Sequence, residues 1–206
     1  VFMVTLPAEV VAYVDADALF CRPAPALFEV EKGRVNAVAD AALQVSYNVS
    51  GEDRNHFEKQ FPQTAFRRGF NSGVISMVPA DWPSLPELFE KAITEGGVGF
   101  CDRILDQPLL NTILLPFVNF LPAEYNVHCL FDGKIPSETR IIHFTSRLKP
   151  WMKGFPRHEP AYAYWLKYGL PRAGAVSAFL AWFWIMLNAP RRFVGRKLAA
   201  LSARGN

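Results

Sequence analysis

Two aspartates end a short apolar stretch, in the sequence VVAYVDAD of residues 10–17. Residues i and i+2 of an extended segment point to the same side, so Asp15 and Asp17 can present their carboxylates to one point. Two such charges repel each other, and a divalent cation bound beside them relieves the repulsion. Carboxylate oxygens suit Mg²⁺ or Mn²⁺. The pattern indicates a cation site, and the alternative is a turn whose aspartates hydrogen-bond the following backbone.

Three other stretches carry polar side chains next to predicted elements: one before a strand, one at the start of a helix, and one after a strand. These residues are Asn71, Ser72 and Gly73, then Asp106 and Gln107, then His143 and Lys149. Taken singly, a histidine such as His143 is more often a core residue than a ligand, and a lysine is usually solvated. Only their combination points to a binding site.

The elements that must position these residues are short apolar runs that alternate with helical patterns. The runs at 10–14, 34–39, 73–78 and 140–144 predict buried strands. Residues 84–97 and 106–115 have apolar side chains at helical spacing and predict helices. This alternation is typical of an α/β domain, in which ligands bind at the carboxyl ends of strands. The polar segment 46–70 predicts an excursion over the surface.

Composition limits the classes of protein that this chain can belong to. With 206 residues, half of them apolar, the chain can bury one sizeable core. Three cysteines without a CxxC pair argue against a disulfide framework or a zinc site and indicate buried thiols. Because the chain opens on valine within an apolar pattern, we expect that an N-terminal portion is missing.

Charge is divided unevenly between the body and the tail. Residues 1–159 contain 15 Lys and Arg against 19 Asp and Glu, a net charge of −4, whereas residues 160–206 contain 7 basic and no acidic residues, a net charge of +7. The tail also has an apolar run at 173–189, marginally short for the about 20 residues that span a bilayer. Trp182 and Trp184, followed by a basic cluster at 191–197, favour an anionic membrane interface over nucleic acid as the partner. A buried C-terminal helix is the alternative.

Six stretches resemble, in order, the motifs of glycosyltransferase family 8, the glycogenin-like and lipopolysaccharide galactosyltransferase group. They are YVDADALF, AVAD, FNSGV, LDQPLLN, LPAEYN and IIHFTSRLKPW. The resemblance covers about residues 1–151 and implies an α/β GT-A fold (Rossmann-like), incomplete at the N-terminus. Residues 1–160 would be the C-terminal part of the catalytic domain and 161–206 a tail with an interface helix. Such enzymes transfer a hexose from a UDP-sugar with retention at the anomeric carbon.

The resemblance also implies a role for each polar residue. Asp15, Asp17 and His143 would bind Mn²⁺, with Mg²⁺ as the alternative, and Lys149 would contact the diphosphate. The residues near the hexose would be Asp40 and Asp106 on its hydroxyls, Asn71, Ser72 and Gly73 along its pocket, and Gln107 beside the anomeric carbon. Asp106 and Gln107 are the catalytic candidates, and both front-face and double displacement stay open.

The implied donor is UDP-glucose or UDP-galactose and the acceptor is a glycan or glycolipid, with the enzyme in the cytoplasm, peripheral at the inner face of the membrane. The isolated 206 residues are expected to be inactive, since the nucleoside-binding part would precede them. One rival hypothesis is a haloacid-dehalogenase-type phosphatase with Asp15 as nucleophile, although Ala18 stands where Thr or Val is usual. The other rival is a truncated, non-catalytic copy.

Overall fold

The computed structural model describes residues 2–49, 51–96, 106–129, 135–145, 148–155 and 157–168. The strands in this part are Val11–Val14 (β1), Ala18–Phe20 (β2), Val35–Ala39 (β3), Phe70–Met77 (β4), Val118–Leu121 (β5), Val127–His128 (β6) and Ile141–His143 (β7). The helices are Gly51–Gln60 (α1), Pro62–Ala65 (α2), Leu85–Gly96 (α3), Asp106–Leu114 (α4) and Pro160–Tyr168 (α5). The predicted α/β class is confirmed.

The large sheet has the strand order β1-β4-β3-β5. Strand β4 runs antiparallel to both of its neighbours, and β5 runs parallel to β3. All eight residues of β4 are buried, because it lies between two strands. The pairing of β3 with β4 is irregular: Ala37 lies opposite Ile75, but the next residue, Val38, lies opposite Asn71. The irregularity leaves residues 72–74 of β4 without partners in β3, at the end of the sheet where β1 and β3 also finish.

The small sheet has the order β2-β7-β6, with β2 antiparallel and β6 parallel to β7. The chain passes from the large sheet to the small sheet between Val14 and Ala18, the segment that contains the two aspartates. Ala18 is paired with His143, and His128 is paired with the same histidine from the other side. The strand pairing alone brings residue 143 beside the aspartates.

The main core lies between the large sheet and the helices α1, α3 and α4. Its fully buried side chains include Val35, Val45, Phe57, Phe70, Met77, Leu85 and Leu114. Helix α3 directs Leu85, Phe89, Ala92 and Ile93 to this core, as its helical spacing predicts, whereas Leu88 is 42% exposed. A second cluster, around Ile142, Phe144 and Phe155, buries the small sheet against α5.

Two sequence predictions about local structure are wrong. Contrary to expectation, Asn71, Ser72 and Gly73 do not precede the strand; they belong to β4, which begins at Phe70. The polar side chains of Asn71 and Ser72 gave no strand signal in the sequence. They are buried, and they make hydrogen bonds within the site and not with water. The segment 46–70 is not a surface excursion, because it contains α1 and α2, with Phe57 and Ala65 buried in the main core.

Helix α5 crosses the predicted boundary between residues 160 and 161 and buries Ala161 beside Cys129. The boundary itself stays a prediction, as does the interface helix, because residues 169–206 lie outside the described part of the chain. Of the cysteines, Cys129 is buried as expected, Cys21 is half-buried, and Cys101 lies outside the described residues. Among the described helices, none is both long and apolar enough to cross a bilayer.

Phe57 is the residue that fixes the otherwise polar helix α1 to the main core, since it is fully buried and packs against Phe61 at a ring-centroid distance of 5.3 Å. We expect Phe57→Ala to lower the free energy of unfolding by about 3–5 kcal/mol, through lost burial and the cavity left behind. Urea denaturation followed by circular dichroism measures this. Phe66→Ala is the control, because Phe66 is 54% exposed; equal losses in the two variants would contradict the assigned role.

Candidate functional site

Two carboxylates and one imidazole meet where the two sheets join. Nε2 of His143 lies 3.3 Å from Oδ2 of Asp15 and 3.1 Å from Oδ1 of Asp17. One ligand atom from each of the three residues can be chosen so that all lie within 4.8 Å of one another. The imidazole is buried, whereas the side chains of Asp15 and Asp17 are 34% and 26% exposed. His143 therefore holds the cluster to the protein interior, and the two carboxylates are accessible to solvent.

Backbone hydrogen bonds hold each aspartate to a different sheet. The N–H of Asp15 donates to the carbonyl oxygen of Gly73 in the large sheet, at 2.8 Å. The carbonyl oxygen of Asp17 accepts from the N–H of Phe144, directly after β7 of the small sheet, at 3.0 Å. The segment between them is not extended, as the sequence analysis assumed: residues 16 and 17 form a turn, in which the N–H of Ala18 donates to the carbonyl oxygen of Asp15 at 3.0 Å. The turn and these two backbone contacts bring the carboxylates together.

Gly73 allows the close approach that the cluster needs. A Cβ at this position would lie 2.6 Å from Nδ1 of His143 and 2.7 Å from Oδ2 of Asp15, and it would meet Cε1 of His143 at a still shorter distance. These neighbours are a buried ring and a carboxylate that is already hydrogen-bonded, so neither can move away at low cost. Any residue other than glycine would displace the cluster.

Neighbouring groups balance the negative charge of the aspartates. Lys149 forms an ion pair with Asp17 at 2.6 Å, and its ammonium also donates to the carbonyl oxygen of Phe144. The hydroxyl of Tyr13 donates to Oδ1 of Asp15 at 2.6 Å. The hydrogen bond from His143 lowers the pKa of Asp15, burial opposes this, and the bond from Tyr13 lowers it further. The same bond to Asp15 raises the pKa of Tyr13 to about 12. At neutral pH Asp15 is thus ionised and Tyr13 protonated.

The donor set fits a divalent cation. Two carboxylates and an imidazole that converge on one point are a mixed oxygen and nitrogen set, which suits Mn²⁺ better than Ca²⁺. The absence of a side chain at Gly73 leaves room for this convergence. Asp15, Asp17 and His143 could therefore hold a cation with its open side toward the adjacent cavity.

That cavity has a volume of about 410 Å³, in the usual range of roughly 300–1000 Å³ for small-molecule sites. Besides Asp15, its polar lining residues are Asp40, Asn48, Asn71, Ser72, Asp106, Gln107, His128 and Thr145. Strands β1 and β3 end directly before Asp15 and Asp40, and α4 begins with Asp106. The carboxyl ends of two strands and the amino end of a helix thus surround the cavity.

The amide of Gln107 joins the two halves of this lining. Its Nε2 donates to Oδ2 of Asp40 at 2.8 Å, and its Oε1 accepts from Nδ2 of Asn71 at 2.9 Å and from the N–H of Ser72 at 3.0 Å. Asp40 also accepts from Nδ2 of Asn48 at 2.6 Å and from the N–H of Ala41 at 2.8 Å. These side chains are held by one another before any ligand arrives.

The family model described as Glycosyl transferase family 8 matches residues 7–154 of the chain. The chain belongs to glycosyltransferase family 8. The match contains every strand and helix described above except α5. The family assignment made from the six motifs is confirmed, and no curated protein sequence matches the chain.

Solved structures confirm the GT-A fold. The galactosyltransferase LgtC, in complex with donor and acceptor sugar analogues, superposes with a TM-score of 0.54 at 17% identity over 73% of this chain and 57% of that one. GlyE of Streptococcus pneumoniae TIGR4, in its apo form, has a TM-score of 0.56 at 18% identity over 82% of this chain and 41% of that one. The apo bifunctional glycosyltransferase WbbM has a TM-score of 0.54 at 19% identity over 73% and 31%. This family 8 chain spans little more than half of LgtC.

In this family 8 chain, all ten residues predicted for the site lie in one region. Six of them line the cavity: Asp15, Asp40, Asn71, Ser72, Asp106 and Gln107. The other four surround the cation cluster: Asp17, Gly73, His143 and Lys149. Their individual roles stay predictions.

Three further residues of the site were missed by sequence reasoning. Asn48 holds Asp40, and Asn126 contacts both His143 and Asn71. His128 lines the cavity, with Nδ1 at 3.9 Å from Oδ1 of Asp40 and a buried Nε2 that has no hydrogen-bond partner among the described residues. Burial lowers the pKa of His128. Asn126 ends the LPAEYN stretch, which was the one signal that could have found it.

Gly73→Ala tests the geometry of the cluster. The added methyl would push His143 and Asp15 apart, so we expect the affinity for Mn²⁺, measured by electron paramagnetic resonance of the free ion, to fall at least tenfold. Overpacking also costs about 1–3 kcal/mol of stability. Gly51→Ala is the control, since nothing lies within 4 Å of a Cβ there. Unchanged Mn²⁺ affinity in Gly73→Ala would show that the cluster is not the cation site.

Proposed function

We propose that this chain carries the catalytic centre of a retaining hexosyltransferase, which transfers glucose or galactose from its UDP-sugar to a glycan or glycolipid acceptor. The proposal adds donor, stereochemistry and metal to the family assignment. The observation that carries it is the convergence of the Asp15–Asp17–His143 cluster and the Asp40–Gln107–Asn71 hydrogen bonds on one cavity. A UDP-sugar needs both parts, one for its diphosphate and one for its hexose.

Asp15, Asp17 and His143 would hold Mn²⁺, or Mg²⁺ in its place. When bound, the cation supplies Lewis-acid stabilisation of the charge that develops on UDP as it leaves. Lys149 would stabilise the same developing charge. Its ammonium now neutralises Asp17 at 2.6 Å, and a lysine is a flexible point charge that can turn to a phosphate.

The carboxylate of Asp40 is suited to bind a sugar hydroxyl. Its two oxygens together have about four acceptor sites, and three of these are used by Ala41, Asn48 and Gln107. The remaining acceptor site is on Oδ1, which among the described residues accepts only from Ala41, and Asp40 lines the cavity. Asp106 provides a second carboxylate of the lining, at the first turn of α4, so each of the two could bind one hydroxyl of a hexose.

Gln107 is poorly suited to be a covalent nucleophile. Its Oε1 accepts from Asn71 and from both the N–H and the hydroxyl of Ser72. We therefore favour front-face displacement, in which the acceptor oxygen bonds to the anomeric carbon on the side where the bond to UDP breaks. Gln107 would then act beside the anomeric carbon by holding Asp40 and Asn71 in position.

Neither the family match nor the solved relatives favour the phosphatase hypothesis. For the acceptor, the support comes from the sequence of the tail. Its net charge of +7 over residues 160–206 and its apolar run suit an enzyme held at an anionic membrane surface, where a glycolipid is accessible. We accordingly place the enzyme in the cytoplasm, peripheral at the inner face of the membrane.

The metal requirement is tested with the intact gene product. Asp17→Asn removes one ligand charge, and we expect sugar transfer to fall about 100-fold or more, since loss of even an outer-shell partner costs 10–100-fold. Chelation with EDTA should abolish transfer, and Mn²⁺ should restore it. Glu9→Gln, a neutralised exposed carboxylate, should behave as wild type. Full transfer by Asp17→Asn, or in EDTA, would overturn the metal assignment.

The donor is tested by a screen of nucleotide sugars in which released UDP is measured. We expect UDP-glucose or UDP-galactose to give the highest rate. Asp40→Asn should lower kcat/KM roughly 10- to 100-fold, because a hydrogen bond to a charged group contributes about 1.5–3 kcal/mol. Asp81→Asn is the matched control, since Asp81 also accepts a backbone N–H, that of Gly33 at 2.7 Å, but lies beyond the opposite end of β4. Release of UDP from neither sugar would refute the donor assignment.

A further inference from the structure

We propose that Asn126 is a positioning residue that holds the hydrogen of the neutral His143 ring on Nδ1, so that Nε2 is the nitrogen left to bind a cation beside Asp15 and Asp17. The inference rests on the proposed function to the extent that this cluster is taken to hold a cation. Asn126 itself contacts neither carboxylate. It acts through the imidazole, and its own orientation is dictated by the backbone of β4.

The first step is the amide of Asn71. The N–H of Gly73 points at one atom of this amide, at 3.0 Å. A backbone N–H can only donate, so that atom is the oxygen, Oδ1. The other atom, Nδ2, then donates to Oε1 of Gln107. The N–H of Ser72 donates to the same Oε1 at 3.0 Å and fixes it independently as an oxygen. Two backbone donors thus give one consistent orientation.

The second step is the amide of Asn126. One of its atoms lies 2.9 Å from Oδ1 of Asn71. Two oxygens at this distance would repel each other, so the atom is the nitrogen, Nδ2. The remaining atom, Oδ1 of Asn126, lies 3.2 Å from Nδ1 of His143. Through the two amides, the N–H of Gly73 therefore determines that an oxygen atom faces Nδ1 of His143.

The third step is the imidazole. An amide oxygen can only accept, so Nδ1 of His143 carries the hydrogen. When a cation binds, it replaces any hydrogen on Nε2, and the neutral ring keeps its one hydrogen on Nδ1, facing Asn126. That is the form in which a histidine binds a metal, and its other nitrogen typically donates to an oxygen of the protein.

Burial makes Asn126 difficult to replace in this role. Asn126 is 3% exposed, His143 4% and Asn71 9%, so a water molecule cannot easily substitute for the amide. Without it, the hydrogen can move to Nε2, where the carboxylate oxygens at 3.1 and 3.3 Å would accept it. A hydrogen on Nε2 occupies the position that a cation needs.

Asn126→Leu tests the inference, because it keeps the approximate volume and removes the acceptor. We expect the dissociation constant for Mn²⁺ to rise 10- to 100-fold, the range known for outer-shell partners of metal ligands. The second readout is the ¹⁵N spectrum of the four histidines in the Mg²⁺-saturated chain, with the His143 signals identified by His143→Gln. Wild type should show a hydrogen on Nδ1 and none on Nε2, and the Leu variant should lose this pattern.

Two further variants separate positioning from general damage. Asn126→Asp keeps an oxygen toward Nδ1 but loses the donor to Oδ1 of Asn71. It should retain the Nδ1–H signal and bind Mn²⁺ within about tenfold of wild type, even if Leu at this position prevents folding. Asn36→Leu is the matched control, since Asn36 is also fully buried and its amide donates to the carbonyl oxygens of Ala26 and Glu29. It should lower stability and leave Mn²⁺ affinity unchanged.

The outcomes distinguish this inference from the proposed function. If wild type binds neither Mn²⁺ nor Mg²⁺, the cation site itself fails. If wild type binds Mn²⁺ and Asn126→Leu binds it equally well with an unchanged Nδ1–H signal, the positioning role of Asn126 is overturned and the cation site stands. The role is equally overturned if Asn126→Asp loses the Nδ1–H signal while remaining folded.

Discussion

The repulsion between the carboxylates of Asp15 and Asp17 is the constraint around which the site is organised. The protein offsets it with hydrogen bonds and charges from three directions: His143 from the core, Tyr13 from β1 and Lys149 from the segment after β7. Each of these contacts depends on a backbone position set by one of the two sheets. The folded chain thus brings to the two carboxylates the compensating groups that an unfolded chain would not hold beside them.

The site is also one connected unit. From His143, hydrogen bonds run through Asn126, Asn71 and Gln107 to Asp40, which lines the cavity. Backbone donors from β4 enter this series at two points, which is why the irregular pairing of β4 with β3 matters. If β4 kept its regular pairing with β3 beyond Val74, one of the N–H groups of Ser72 and Gly73 would face β3 and be used in the sheet and not in the site. The geometry of the centre is therefore built into the strand pairing.

Sequence patterns predicted the elements with regular periodicity and missed those that tertiary contacts decide. The spacing in α3 and the apolar runs of β1 and β3 indicated their structures correctly, because burial and periodicity agree there. Helix α1 has one dominant inward residue, Phe57, and its polar pattern gave no helical signal. The start of β4 was hidden because Asn71 and Ser72 are polar yet buried. Asn126 could not be assigned a role, since its partners lie far away in sequence and only the fold brings them together.

The division of the cluster between two sheets has a mechanical consequence. Asp15 is tied to the large sheet by the carbonyl oxygen of Gly73, whereas Asp17 and His143 belong to the small sheet. A cation held by all three would act as a removable cross-link across the seam between the sheets, comparable to a disulfide that forms without oxidation. Its stabilisation would grow with the logarithm of cation concentration, because only the folded chain assembles the three ligands. The rigidity of the seam would then depend on the supply of metal ions.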